Sequence, residues 1–301
     1  MDLRFDDADE LVDEAETLAP GHPLCNTFRV AVMLSRIQEG LRAEGDRYKI
    51  SEDYFQEVDK VIRATDVEIK AHPLSPYPRM YQGAAYGCRG LANLYRGRYV
   101  TSYFDGKKGA GLLKEAFDQD PTIYNAYFGM GQFEYYCGRL AGVLQFMLAL
   151  RGDEKKGLAM LATCADKGTY SAWACRGYRL KLVLIDQKDY KGAEADLVSA
   201  AQRYPHAYDF QRGLLSALMA DSKPSPALLD AGQALFQRIE AGWKAPAHVQ
   251  MPLDPGRLAL AKGLATAGRS SDALQHYSAL LHSADKDIAA LAKAGLDQLP
   301  R

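Results

Sequence analysis

The chain has 301 residues, of which 48% are hydrophobic and 25% charged, a balance that fits a folded chain and excludes a disordered one. Its 37 Lys and Arg offset 38 Asp and Glu to a formal charge of −1, so no global field draws it to nucleic acid or an anionic membrane, which leaves room only for a local patch. No run reaches the ~18 apolar residues of a membrane span, and the acidic DLRFDDADE behind Met1 gives no secretory leader.

The first predicted helix covers 5–18 and carries Ala8, Val12 and Ala15, with Pro20 behind it. Small and large side chains at steps of four and three share one helical face, and a proline ends the helix. The same spacing recurs at Gly109, Leu113, Ala116, Pro121 and at Ala193, Leu197, Ala200, Pro205. Gly157, Leu161, Cys164 and Ala273, Tyr277, Leu280 repeat it without the proline. An internal repeat of this kind points to stacked helix pairs.

Helices are predicted next at 26–44 and 51–71, the second with Ser51 as N-cap. A longer one over 78–99 sets Gly83, Gly87 and Gly90 on nearly one stripe, which fits close packing against another helix. Gly106-Lys107-Lys108-Gly109-Ala110-Gly111 lacks the preceding strand and the Gly-Lys-Ser/Thr ending of a phosphate loop. The unit 121–168 holds an apolar run, 140–150, between Arg139 and Arg151, read as a helical insert at its turn. Further helices are predicted at 169–186, 189–204, 206–221, 227–242, 256–267 and 270–283, with a polar closing helix at 285–299. No β alternation of useful length occurs.

The recurring spacing resembles the second helix of a tetratricopeptide repeat. Gly83-Ala84-Ala85-Tyr86 and Met130-Gly131 are similar to its first-helix signature, and Lys188-Asp189-Tyr190 and Gly268-Arg269-Ser270 to its turn. The order of Asp105-Gly106-Lys107-Lys108-Gly109, Asp120-Pro121-Thr122, Tyr135-Tyr136 and Ala165-Asp166-Lys167-Gly168 resembles a group of bacterial repeat proteins of unassigned function, many with an export leader. The resemblance covers 5–205 and fades over 206–301. It implies one all-α domain, a right-handed α-solenoid of about 14–15 helices with a C-terminal cap, and no catalytic residue. Opening on a lone second helix implies native residues upstream, which would place the protein in the cell envelope if they include a leader and in the cytoplasm otherwise.

In that family the first helices line a peptide groove. Here Asn125, Phe128, Gln132 and Tyr135 share one face, and Tyr86, Arg89, Asn93 and Arg96 share another at the same spacing. Amides pair with a peptide backbone and rings give area at low entropy cost, although the tyrosines also fit as interhelix packers. The leading expectation is a non-enzymatic scaffold for a protein or peptide, with a homodimer through the N-terminal half-repeat as a further one. The alternative is a membrane-surface or lipid-associated adaptor docking through Leu140, Leu144, Phe146 and Leu148 of the insert. Six scattered histidines and five cysteines without CxxC supply no catalytic or metal-ligand spacing, so neither metal nor cofactor is expected. All five cysteines are read as small core residues.

Overall fold

The computed structural model describes residues 4–45, 48–139, 152–187 and 189–300, and omits the side chains of 185–188. Among the described residues there are fourteen α-helices and no strand. They group into two compact units, 4–179 and 180–300.

The first unit contains α1 (Phe5–Leu18), α2 (Pro23–Glu44), α3 (Glu52–Ala71), α4 (Pro76–Tyr95), α5 (Tyr99–Gln119), α6 (Tyr127–Arg139), α7 (Glu154–Lys167) and all but the last two residues of α8 (Ala172–Lys181). Ser51 caps α3 as expected, its hydroxyl accepting from the Tyr54 amide. The helix expected to run to 99 stops at Tyr95. Gly97, at φ 71°, takes the left-handed conformation that lets its own N–H and that of Arg98 reach back to the Leu94 and Asn93 carbonyls.

Two hairpins, α4–α5 and α6–α7, are held by backbone contact between glycines. A Cβ on Gly109 would lie 2.7 Å from the Gly83 carbonyl oxygen, and one on Gly157 would lie 2.7 Å from that of Gly131. Gly90 and Gly138 make the next contacts towards each hairpin tip, against Ser102 and Glu154 backbone atoms. Gly87, expected in the same stripe, faces open space; only its amide is approached, by Gly109. The repeat positions supply the rest of the seam, with Leu113, Ala116, Leu161 and Cys164 all buried. On α1 only Val12 of the expected triplet is buried, and Leu11 and Leu18 are exposed.

The apolar segment 140–151, with Leu140, Leu144, Phe146 and Leu148, lies outside the described residues. On either side of it the glycine spacing repeats. Gly157 follows Gly131 by the same 26 positions that separate Gly109 from Gly83, so the α6–α7 hairpin is no longer than its neighbour.

The cysteines also need correction. Cys164 and Cys175, both fully buried, are joined in a disulfide across the α7–α8 turn. An odd count excludes a complete framework but leaves room for one bridge, and the two Cα atoms stand 5.9 Å apart, within reach of one. Cys25, Cys88 and Cys137 are free.

The second unit opens with a π-helical segment (Leu182–Gln187) and continues with α9 (Glu194–Arg203), α10 (Tyr208–Ala220), α11 (Pro226–Glu240), α12 (Leu253–Thr266), α13 (Ser270–Leu280) and α14 (Lys286–Asp297). Leu197, Leu214, Leu218, Leu228, Phe236 and Leu260 form its core. Fully buried Gln211 is satisfied: its amide nitrogen donates to the Ala201 and Tyr204 carbonyls and its oxygen accepts from Arg238.

His276 is less well served. It is buried beside Phe236, with its Nδ1 atom unpartnered. Burial, and then the Arg257 charge, depress its pKa from 6.5, against smaller upward pulls from Glu240 and Asp272. The unfolded chain binds the proton more readily than the folded one. Stability is therefore complete above about pH 6.5 and falls as pH drops through the depressed value. Denaturation midpoints at pH 7.5 and 5.5 should differ less in His276→Gln than in the parent; an equal difference would rule out this histidine as the source.

Candidate functional site

The α4 stripe turns towards its neighbouring helices. The Arg89 guanidinium grips buried Asp105 of α5 through Nε at 3.1 Å and Nη2 at 2.7 Å, and reaches Asp59 of α3 at 2.8 Å through Nη1. Asn93 donates to the same Asp105 at 3.0 Å. Tyr86 lies under the Arg89 cation, while Arg96 covers Phe55 and holds Glu52 and the Ile50 carbonyl. Arg89, Asn93 and Arg96 thus tie this stretch to the neighbouring helices through hydrogen bonds already made.

On the second stripe, Tyr135 is fully buried at the α6–α7 seam. Asn125 clasps the α7–α8 turn. Its carbonyl oxygen accepts from the Thr169 amide (3.1 Å), the Ser171 amide (3.2 Å) and the Ser171 hydroxyl (2.6 Å), and its NH2 donates to the Thr169 hydroxyl (2.8 Å). Truncating it leaves several polar groups of that turn without partners. Asn125→Ala should therefore lose about 1–3 kcal/mol by urea denaturation; a change within error would mean that the turn holds without the clasp. Phe128 and Gln132 are half-buried. Phe128 meets Tyr178 edge-on at 5.9 Å, and the Gln132 amide has no hydrogen-bond partner among the described residues.

A different set of residues is drawn together where the even-numbered helices lie side by side. Gln38 of α2 donates to the Tyr95 hydroxyl of α4 at 2.9 Å, and the Tyr136 and Tyr178 hydroxyls of α6 and α8 meet at 2.8 Å. Tyr95 and Tyr136 are close enough to couple electrostatically, which links the two pairs. Towards the start of these helices, Phe28 meets Tyr170 edge-on at 5.5 Å, and the Tyr170 hydroxyl donates to Met80 Sδ at 3.2 Å. Tyr81 packs between His22 and Tyr77. Tyr77, Tyr95 and Tyr170 keep between 38% and 48% of their surface exposed, so this aromatic face reaches solvent.

The face offers recognition chemistry. Burial raises the pKa values of Tyr81, Tyr95 and Tyr170, so these phenols stay neutral near pH 7 and act as hydrogen-bonding groups. Burial likewise pushes the Cys88 thiol up to about 12 and the Cys137 thiol up to about 11, which suppresses the nucleophilic thiolate. The sequence reading missed this set because its members are scattered over four helices and the turn before the last of them, with Phe28 and Tyr170 142 positions apart. The only signal was a recurrence of Tyr on α4, α6 and α8.

In the second unit, Asp189, Tyr190, Lys191, Glu194 and Asp221 line a shallow open cleft without a catalytic arrangement. Among the described residues no three His, Cys, Asp or Glu converge as metal ligands, and no helix is long and apolar enough to cross a membrane. Compared with known proteins, the chain matches no family model, no curated protein and no solved structure.

Proposed function

We propose that the chain is a non-enzymatic scaffold, a right-handed superhelix of tetratricopeptide-like pairs that holds a peptide or protein segment along the aromatic face of α2, α4, α6 and α8. The observation that carries this reading is the run of partly exposed side chains from Gln38 and Tyr95 to Tyr136 and Tyr178. Rigid rings present contact area at low entropy cost, and neutral hydroxyls and amides accept or donate to a peptide backbone. Of the residues expected from sequence, Phe128 and Gln132 stay with this face; the α4 stripe, Asn125 and Tyr135 act in packing.

A photo-crosslinking residue at Gln132 tests the reading against one at Val67, an exposed position of α3. In cells, position 132 should give adducts of discrete mass that disappear when Tyr136 and Tyr178 are both changed to Ala. The same adducts from position 67, or adducts indifferent to the two tyrosines, would remove the assignment.

A further inference from the structure

The outward face of α5 near its start carries an unusual surface. Tyr99, Val100 and Phe104 are 60%, 58% and 58% exposed, and Arg98, Lys107 and Lys108 beside them are exposed as well. At 3.6 residues per turn, Tyr99, Tyr103 and Lys107 form one row and Val100, Phe104 and Lys108 the adjacent row. The opposite side of the same helix is the buried seam of Asp105, Gly109, Leu113 and Ala116. This helix is thus apolar on both faces, with only one of them covered among the described residues.

Its charge is one-sided. Between 98 and 113 the sole acidic residue is Asp105, which points into the seam and is neutralised by Arg89. The neighbouring carboxylates are also taken: Glu52 pairs with Arg96, Glu134 with Lys156 and Glu154 with Arg139. Exposed aromatic and aliphatic side chains interleaved with unopposed cations fit the boundary between acyl chains and anionic headgroups. A single-stranded nucleic acid fits less well, because base stacking needs a free ring face. The Tyr103 ring is stacked by Phe133 at 6.1 Å and approached by the Lys107 ammonium at 6.0 Å.

We propose that this face of α5, through Tyr99, Val100, Phe104, Arg98, Lys107 and Lys108, docks the protein on an anionic lipid bilayer. It stands apart from the aromatic face assigned to a peptide, so either assignment can fail alone.

The test is cosedimentation of the full chain with phosphatidylcholine vesicles, with and without phosphatidylglycerol. The protein should pellet with the anionic vesicles alone, and less so as salt rises. Each lysine near such a surface contributes about fivefold in partitioning, so K107E/K108E should weaken it at least tenfold. F104S should weaken it several-fold at unchanged melting temperature. In F104W, whose fold the larger ring should leave intact at an exposed site, brominated acyl chains should quench the indole. Any of three results overturns the proposal: no partitioning; partitioning unchanged by K107E/K108E and F104S, which would place the contact on another segment; or single-stranded DNA binding that displaces the vesicles while F104W stays unquenched.

Discussion

Gly157→Val is expected to destabilise the first unit by about 3 kcal/mol, read as a lowered urea midpoint. Even the first carbon of the new side chain would stand 2.7 Å from the Gly131 carbonyl oxygen and 2.7 Å from the Tyr135 amide nitrogen. Both are backbone atoms, which cannot rotate away as a side-chain tip can. The helices must separate, and Leu161 and Tyr135 then lose their contacts. Gly109→Val should behave alike for α4 and α5, where the obstacle is the Gly83 carbonyl. Gly111→Ala supplies the opposite sign. This exposed glycine of α5 has nothing within 4 Å of a built Cβ, so alanine should stabilise by about 0.5–1 kcal/mol through helix propensity. Equal effects at 157 and 111 would mean that backbone contact is not what holds the hairpin.

Asp105→Ala should have a comparable effect, about 3–4 kcal/mol, by leaving the Arg89 guanidinium half-buried without its two-point partner. Asp59 retains one contact to Arg89 but cannot replace the pair of hydrogen bonds, and Asn93 loses its acceptor as well. The double replacement R89M/D105L removes the stranded charge together with its partner, so most of the loss should be recovered. A double variant as unstable as Asp105→Ala alone would show that the site matters for its shape and not for its charge.

The helical architecture was legible because it is written locally. The period of small and large residues marks the buried seams, and at Gly109, Leu113, Ala116 and at Ala193, Leu197, Ala200 every member is covered. What the sequence left open depends on which helix lies opposite. Arg89 and Asn93 look like ligand-binding residues until Asp59 and Asp105 are seen across from them, and Asn125 until the 169–171 turn folds back upon it. Polar side chains on a helix face carry no label saying whether their partner is the protein itself. Only distance in space decides that, and a run of residues holds too little of it. The disulfide escaped notice for the same reason, since eleven positions of sequence separation say nothing of a tight turn. Gly97 fell inside the helix predicted over 78–99 without being weighed, and it is the residue that ends that helix.

The contact between Phe28 and Tyr170 has a consequence for the order in which the first unit assembles. The glycine seams close loops of a few dozen residues, whereas this ring pair must bring together positions 142 apart in the chain. Closing the longer loop is entropically dearer until the intervening hairpins have formed and shortened it. The hairpins should therefore fold first, with the aromatic face completed last.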